Sequence, residues 1–277
     1  NEFWLAKLGS RSFNTVVGDR VEYEIVKNEA VVTGALSRKN IIKRSYLNKE
    51  KELAANVDHL FIITAVGPLF NPVFIDRVNA VAFSQSVPAT LVINKIDLES
   101  EHGNLKEIEQ TYLDSGLQIL KTSTQDENSI KVLAEKIESF NKGIVAFTGV
   151  SGVGKTSLLN KLIPKASART QQVSERTGQG KQTTTQSIAH IYRWQTGECF
   201  VIDMPGIQSF GVAHLSEDEV RASFPEFQKF AIDCKFSNCS HLEEKECALV
   251  PAINDGKVPK SRYISYQAML PETEVRY

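Results

Sequence analysis

The run Gly149-Val150-Ser151-Gly152-Val153-Gly154-Lys155-Thr156 directly follows the apolar stretch Ile144–Phe147 and precedes a helical pattern carrying Leu158, Leu159 and Leu162. A turn of the form G-x4-G-K-[ST] between a strand and a helix lets successive backbone N–H groups face inward around phosphate oxygens. This stretch commits the chain to an α/β sheet with a phosphate-bearing ligand at its edge. In this reading Lys155 reaches the β and γ oxygens and the Thr156 hydroxyl ligates Mg²⁺, while Gly149, Ser151, Gly152, Val153, Gly154 and Ser157 line the phosphates.

The rest of the middle of the chain agrees. Apolar runs at Leu60–Val66, Thr90–Ile93, Leu117–Leu120, Ile144–Phe147 and Phe200–Ile202 alternate with helical patterns, the texture of parallel strands buried on both faces. Leu105, Ile108, Tyr112 and Leu113 share one helical face, and Ile130, Leu133, Ile137 and Phe140 share another. A doubly wound α/β core is expected over residues 58–213, with His190 a structural residue on a strand over Ser187–Trp194. Residues 1–50 mix short apolar runs with Gly9, Gly18-Asp19 and Gly34, the spacing of short strands and tight turns, so a small β-barrel is expected there. Past Phe210 the pattern turns helical, opening on the capping box Ser216-Glu217-Asp218-Glu219; Pro225 should end that helix, and Pro251, Pro259 and Pro271 should break the tail into pieces.

Two further motifs sit at strand ends. Asp203-Met204-Pro205-Gly206 closes Phe200–Ile202, where a P-loop enzyme needs a carboxylate for the magnesium shell and a glycine near the γ-phosphate. Asn94-Lys95-Ile96-Asp97 closes Thr90–Ile93: Asp97 can accept from the guanine ring N–H and exocyclic amine, a donor pair adenine lacks, while Asn94 would brace the loop and the Lys95 stem lie along the base. Thr122-Ser123 ends the next strand, the place of a small residue, Ser123, beside the guanine carbonyl. The base loop (94–97) thus precedes the P-loop (149–156), the Thr-rich segment (183–185) and Asp203, whereas conventional GTPases begin with the P-loop. Loops from the carboxyl edge of one sheet survive such permutation if the strands still assemble.

With 42% hydrophobic and 23% charged residues the chain can bury a sizeable core and is not a disordered one. A net charge of −1 excludes an overall basic bias, so only local clusters could meet nucleic acid: Arg38-Lys39 with Lys43-Arg44, and Lys257, Lys260 and Arg262. No apolar run reaches the roughly 18–20 residues of a membrane span and no signal-peptide pattern opens the sequence, so a cytoplasmic, membrane-free protein is expected. Cys199 stands alone in an apolar run as core, but Cys234, Cys239 and Cys247 cluster around His241, which in an intracellular chain favours a metal over disulfides. Three thiolates and one imidazole match a closed, structural zinc site.

Taken together, Asn94–Asp97, Gly149–Ser157, Gly180-Lys181-Gln182-Thr183-Thr184-Thr185, Asp203–Gly206 and Cys234-x4-Cys239-x-His241-x5-Cys247 resemble the RsgA/YjeQ family of circularly permuted GTPases dependent on the small ribosomal subunit, over almost the whole chain. The resemblance implies an N-terminal OB-like barrel (1–50), a permuted GTPase domain (58–213) and a C-terminal zinc-binding helical domain (214–277). The stretch before Gly18-Asp19 is short for a complete five-stranded barrel. The resemblance also implies GTP and GDP, Mg²⁺ held by Thr156 and Asp203, Zn²⁺ on the Cys/His cluster, and the small subunit with its rRNA as partner; a monomer is expected. Thr184 joins the nucleotide-binding set, with the magnesium ligand among Thr183–Thr185 left open. Family members similar to this one carry Arg-His where Lys181-Gln182 stands, and Ile207 follows Gly206 where Ras-like enzymes place a water-orienting glutamine. Gln182 is therefore a candidate for that role and Lys155, Thr156 and Asp203 complete the candidate catalytic set. The expected activity is hydrolysis of GTP to GDP and phosphate; the rival readings are an RNA-binding module switched by nucleotide with incidental hydrolysis and, disfavoured by Asn94–Asp97, an ATP-dependent enzyme.

Overall fold

The computed structural model describes residues 6–9, 14–46, 49–164, 186–206, 210–242 and 244–273. In chain order they form strands β1 (Ala6–Leu8), β2 (Val21–Val26), β3 (Glu29–Ala35), β4 (Ile41–Tyr46), β5 (Lys49–Ala55), β6 (His59–Ala65), β7 (Ala89–Asn94), β8 (Gln118–Lys121), β9 (Ile144–Gly149), β10 (Ile188–Trp194) and β11 (Gly197–Asp203). The helices are α1 (Pro72–Ser84), α2 (Glu99–His102), α3 (Leu105–Tyr112), α4 (Glu127–Glu138), α5 (Lys155–Leu162), α6 (Glu217–Ala222), α7 (Pro225–Ala231), α8 (Leu249–Asn254) and α9 (Lys260–Thr273), with a 3₁₀ turn at Ile96–Leu98.

Six strands build the central sheet in the order β10-β11-β9-β6-β7-β8. All neighbours are parallel except the β10–β11 hairpin. The chain runs outward from β6 through β7 to β8 and then returns to β9 on the other side of β6, so the two directions of winding meet between β6 and β9. Every residue of β6 is buried. Alternate residues face opposite ways, as strand periodicity requires: Leu60 and Ile62 join α1 and α3 in one core, while Phe61 and Ile63 join α4 and α5 in the other. His59 and Thr64 are the strand's polar residues; His59 Nε2 lies 2.8 Å from Thr90 Oγ1 and its ring stacks on Phe140 at 4.8 Å. Burial pushes its imidazole down to about 4, so it stays neutral at ordinary pH.

At the N-terminus the described residues show short strands, and three helical expectations farther along the chain are corrected. Among the described residues β1, β3 and β2 form one sheet and β4–β5 a separate hairpin, with no ladder closing them into a barrel. Leu113 is 68% exposed because α3 stops at Tyr112 and Leu113 is already its C-cap. Pro225 opens α7 rather than closing α6, which ends at Ala222, and Pro271 sits inside α9 instead of breaking it. The capping box forms as expected, Ser216 Oγ accepting from Glu219 N at 3.2 Å and Glu219 Oε2 from Ser216 N at 2.7 Å.

The C-terminal helices pack on the α1 face of the sheet through one contiguous core that also takes in Ile42, Leu53 and Ala54 of the β4–β5 hairpin. Arg262 of α9 lies at the centre of this packing, 0% exposed. Its guanidinium pairs with Asp76 of α1 and, at 2.6 Å, with Glu226 of α7, and it stacks over Phe224 (4.4 Å) and Tyr112 (5.3 Å). Burial pushes the Asp76 carboxyl above its usual range, opposed by Arg262. A second junction lies just beyond Asp203–Gly206. Phe210 packs edge-on against Phe74 of α1, and Gly211 bridges Ser45 of β4, accepting from Ser45 N at 2.9 Å. Val212 N donates to Glu272 Oε2 of α9 at 2.9 Å, and Glu272 pairs with Arg77 of α1. A Cβ on Gly211 would stand 2.4 Å from Ser45 O, so this approach excludes any side chain.

Truncating one partner of a buried ion pair strands the others. Arg262→Ala should lower unfolding free energy by about 3–5 kcal/mol, measured as a fall in denaturant midpoint. A change below about 1 kcal/mol, the ordinary effect of a point substitution, would show that the triad does not hold α9 against α1.

Candidate functional site

Because the strands β6, β7, β8, β9 and β11 run parallel, the loops following them converge on one edge of the sheet. The loop after β9 turns through Gly152 (φ +90°) and Gly154 (φ +92°), left-handed conformations that favour glycine. It lies hard against its neighbours: a Cβ on Gly149 would be 2.6 Å from Ile63 O, and one on Gly154 would be 2.3 Å from Asn94 Nδ2. Lys155 then starts α5, presenting that helix's N-terminus to the loop. Its side chain is buried and paired with Asp203 at the end of β11, itself only 3% exposed. Thr156 and Ser157 are exposed on the first turn of α5. Gly206 lies against the same loop, where a Cβ added to it would be 3.8 Å from Ser151 N.

One amide ties three of these loops together. Asn94, 1% exposed, donates from Nδ2 to Val153 O at 2.8 Å and accepts at Oδ1 from Thr122 Oγ1 at 3.1 Å. Lys95, next in sequence, takes a left-handed conformation (φ +61°), and the turn Ile96–Leu98 projects the exposed Asp97. The Ser123 hydroxyl donates to Asp97 Oδ1 at 2.5 Å, and Gln125 Nε2 donates to Oδ2 at 3.2 Å. Ser123, expected beside a base carbonyl, thus has its hydroxyl committed to the carboxylate.

Asn94, Lys95, Asp97, Ser123, Gly149 to Ser157, Asp203 and Gly206 are therefore brought to one edge, whereas Gln182, Thr183, Thr184, Thr185 and Ile207 lie outside the described residues. Motif spacing gives no sign of the loop after β6, which also reaches this edge. Gly67 (φ +85°) donates to Asn104 Oδ1 at 2.8 Å, and Leu69 lies 3.3 Å from a Cβ placed on Gly152. Nor does spacing single out Gln125, since neither that residue nor Leu69 belongs to a spaced pattern.

The donor set suits a divalent cation beside the phosphates: Asp203 is a buried carboxylate already facing a cationic group, with the Thr156 hydroxyl on the adjoining helical turn. Farther off, the ligand atoms of Cys234, Cys239, His241 and Cys247 all lie within 4.8 Å of one another. Cys234 Sγ is 3.6 Å and Cys247 Sγ 3.5 Å from His241 Nδ1, and the two sulfurs are 4.0 Å apart. Tetrahedral zinc with Zn–S of about 2.3 Å and Zn–N of about 2.0 Å gives edges of roughly 3.5–3.8 Å, so the cluster fits that ion. Burial lowers the pKa of the His241 imidazole, favouring the neutral form that ligates metals. Two tyrosines of α9 fix the ligand loop, Tyr263 donating to His241 O at 2.7 Å and Tyr266 to Ser240 O at 2.9 Å.

Most residues of the two basic clusters are ion-paired. Arg38 pairs with Asp19 (2.7 Å) and Glu52 (3.0 Å), Lys39 with Asp58 (2.7 Å) and Lys43 with Glu50 (3.2 Å). Lys257 pairs with Asp255 at 3.1 Å, and Arg262 is the buried residue described above.

Comparison with known proteins gives one consistent picture. Residues 35–213 match the family model described as RsgA GTPase. A small ribosomal subunit biogenesis GTPase RsgA from Chlorobaculum parvum is 36% identical over 267 residues, covering 92% of this chain and 84% of the relative. Its namesake from Flavobacterium psychrophilum is also 36% identical, over 97% of this chain and 84% of its own. Among solved structures, YjeQ from Thermotoga maritima is similar with a TM-score of 0.72 and 30% identity, covering all of this chain and 92% of that one. YloQ, described as a circularly permuted GTPase, gives 0.64 and 26% over 97% and 85%.

Replacing Asn94 by Asp would set a carboxylate against the Val153 carbonyl in place of a donor. Asn94→Asp should weaken GDP binding by roughly 5-fold or more, since a buried acceptor left unpaired costs about 1–3 kcal/mol. Titration with fluorescent GDP checks this; unchanged affinity would mean that Asn94 does not support the loop.

Proposed function

The chain belongs to the RsgA GTPase family and is a GTP hydrolase, and from that premise we propose that it converts GTP to GDP and phosphate during maturation of the small ribosomal subunit, with the subunit completing its catalytic site. The observation that carries this reading is the convergence of Asn94, Asp97, Lys155 and Asp203 on one sheet edge despite their permuted order in the chain. Asp97 reads the guanine edge with its two carboxylate oxygens. Asn94 holds the phosphate loop against the base loop. Backbone N–H groups of Gly152 to Thr156 would face the β- and γ-phosphates, and the Lys155 ammonium, paired with Asp203 in the structure, would turn to them, where negative charge shifts as the terminal P–O bond breaks and a water oxygen bonds to phosphorus. The proton of that water leaves with the phosphate. Thr156 and Asp203 are the residues that would hold Mg²⁺, whose charge would neutralise the phosphate oxygens when bound.

Turnover by the protein alone should be slow, because Ile207 supplies no polar group to orient water. Gln182, with Thr183–Thr185, is assigned that task once the subunit is bound. Around the GTPase domain (58–213) we place an OB-like region over 1–50, supported by its short strands, and a zinc-binding helical domain over 214–277, supported by its Cys/His cluster. The protein acts as a cytoplasmic monomer, its flanking domains gripping subunit rRNA. Phe210–Val212 links the two flanks to the loop that senses the γ-phosphate.

GTP hydrolysis measured alone, with small subunits and with large subunits tests the assignment. Small subunits alone should accelerate it by at least about tenfold, equivalent to about 1.4 kcal/mol of barrier. Equal rates in all three would leave the GTPase and remove the ribosomal role. The metal assignment predicts about one zinc per chain, lost in Cys239→Ser while GDP binding persists. Elemental analysis finding no zinc in reduced, chelator-free protein would refute it.

A further inference from the structure

Asp97 is exposed and sits on a single 3₁₀ turn, and the terminal torsion of an aspartate is broad. Nothing in its own loop obliges both oxygens to face a base. Two donors from the loop after β8 supply that constraint. Gln125 Nε2 donates to Asp97 Oδ2 at 3.2 Å, and Ser123 Oγ donates to Oδ1 at 2.5 Å. The second contact is supported by the backbone N–H at position 125, which donates to Ser123 Oγ at 3.0 Å whatever side chain stands there. A hydroxyl has one proton, so with a lone pair engaged there its proton goes to the carboxylate, which can only accept. Gln125 is itself held by firm neighbours: Asp126 caps α4 through Asn128 N at 3.0 Å, and Ser129 Oγ accepts from Ser123 N at 3.0 Å and donates to Asp126 O at 2.8 Å.

We propose that Gln125 is a specificity-determining residue for the purine base, its side-chain amide fixing in one orientation the Asp97 carboxylate that Ser123 already holds at Oδ1. The inference rests on the reading that Asp97 accepts from guanine. With one donor engaged on each carboxylate oxygen, remaining lone pairs are left for the ring N–H and the exocyclic amine. Hypoxanthine offers the ring N–H but not the amine. A carboxylate held in one orientation gains from both guanine donors, whereas one free to rotate loses much of the advantage of the second. Gln125 therefore contributes chiefly to the preference of guanosine over inosine nucleotides.

The test is competition of GDP and IDP against fluorescent GDP on the full chain, for the parent, Gln125→Ala, Gln125→Lys and Asp97→Asn. Gln125→Ala should weaken GDP by roughly 3- to 10-fold and IDP by less, narrowing the GDP/IDP ratio. Gln125→Lys, which restores a donor of similar reach, should recover most of that ratio and serves also if the alanine variant folds poorly. If Gln125→Ala leaves the ratio unchanged, or weakens both nucleotides equally, while Asp97→Asn loses GDP, the proposal is overturned and the base reading stands. If Asp97→Asn binds GDP as the parent does, the base reading itself falls.

Discussion

The structure depends on β6 being paired on both sides, with β7 through six registered residues and with β9 through five. A strand in the middle of a parallel sheet is buried on both faces, and His59–Ala65 is buried along its whole length with only His59 and Thr64 polar. The pairing lets a chain that begins with its base-recognition half recover the sheet order of one that begins with its phosphate half. It also sets the site, because ligands of open α/β sheets bind where the winding reverses, here between β6 and β9. The close approach of Gly149 to Ile63 O shows how little room the register leaves. A one-residue slip would carry the phosphate loop away from Asn94 and place core residues on the wrong face.

What was legible in the sequence is what chemistry constrains locally. The phosphate loop, Asn94–Asp97 and the Cys/His cluster depend on fixed residue types at fixed spacing, and the central strands read as unbroken apolar runs. Features whose cause lies far along the chain were not legible. Arg262 reads as one of a basic cluster because nothing nearby announces Asp76, 186 residues earlier, or the rings it stacks on. Arg38 and Lys43 read as surface charge for the same reason. β2 is exposed at five of its six positions and offers no burial alternation, so the N-terminal architecture could not be read beyond short strands and turns. Gln125 was invisible because its role comes from a partner on another loop.

Charge is used differently at the two ends of the molecule. The N-terminal pairs are partly exposed and contribute little stability. The Arg262 triad is fully desolvated; such groups add less net stability than apolar packing would, yet they tolerate only one arrangement. Orientation of α9 on α1 is the corresponding gain, and α9 in turn supplies the two tyrosines that fix the metal-ligand loop.

Three residues separate Gly206 from Phe210. Four Cα–Cα steps of about 3.8 Å span at most roughly 15 Å, which is all the slack between the glycine beside the phosphate loop and a phenylalanine locked in the core. At the far side of that tether the backbone is fastened to Ser45 and Glu272 with no gap large enough for a methyl group at Gly211. Contour length, rather than any side-chain chemistry, then sets an upper bound on how far the glycine can travel before the anchor itself must give. Lengthening the tether by a few residues would decouple the two ends while leaving every contact of each intact.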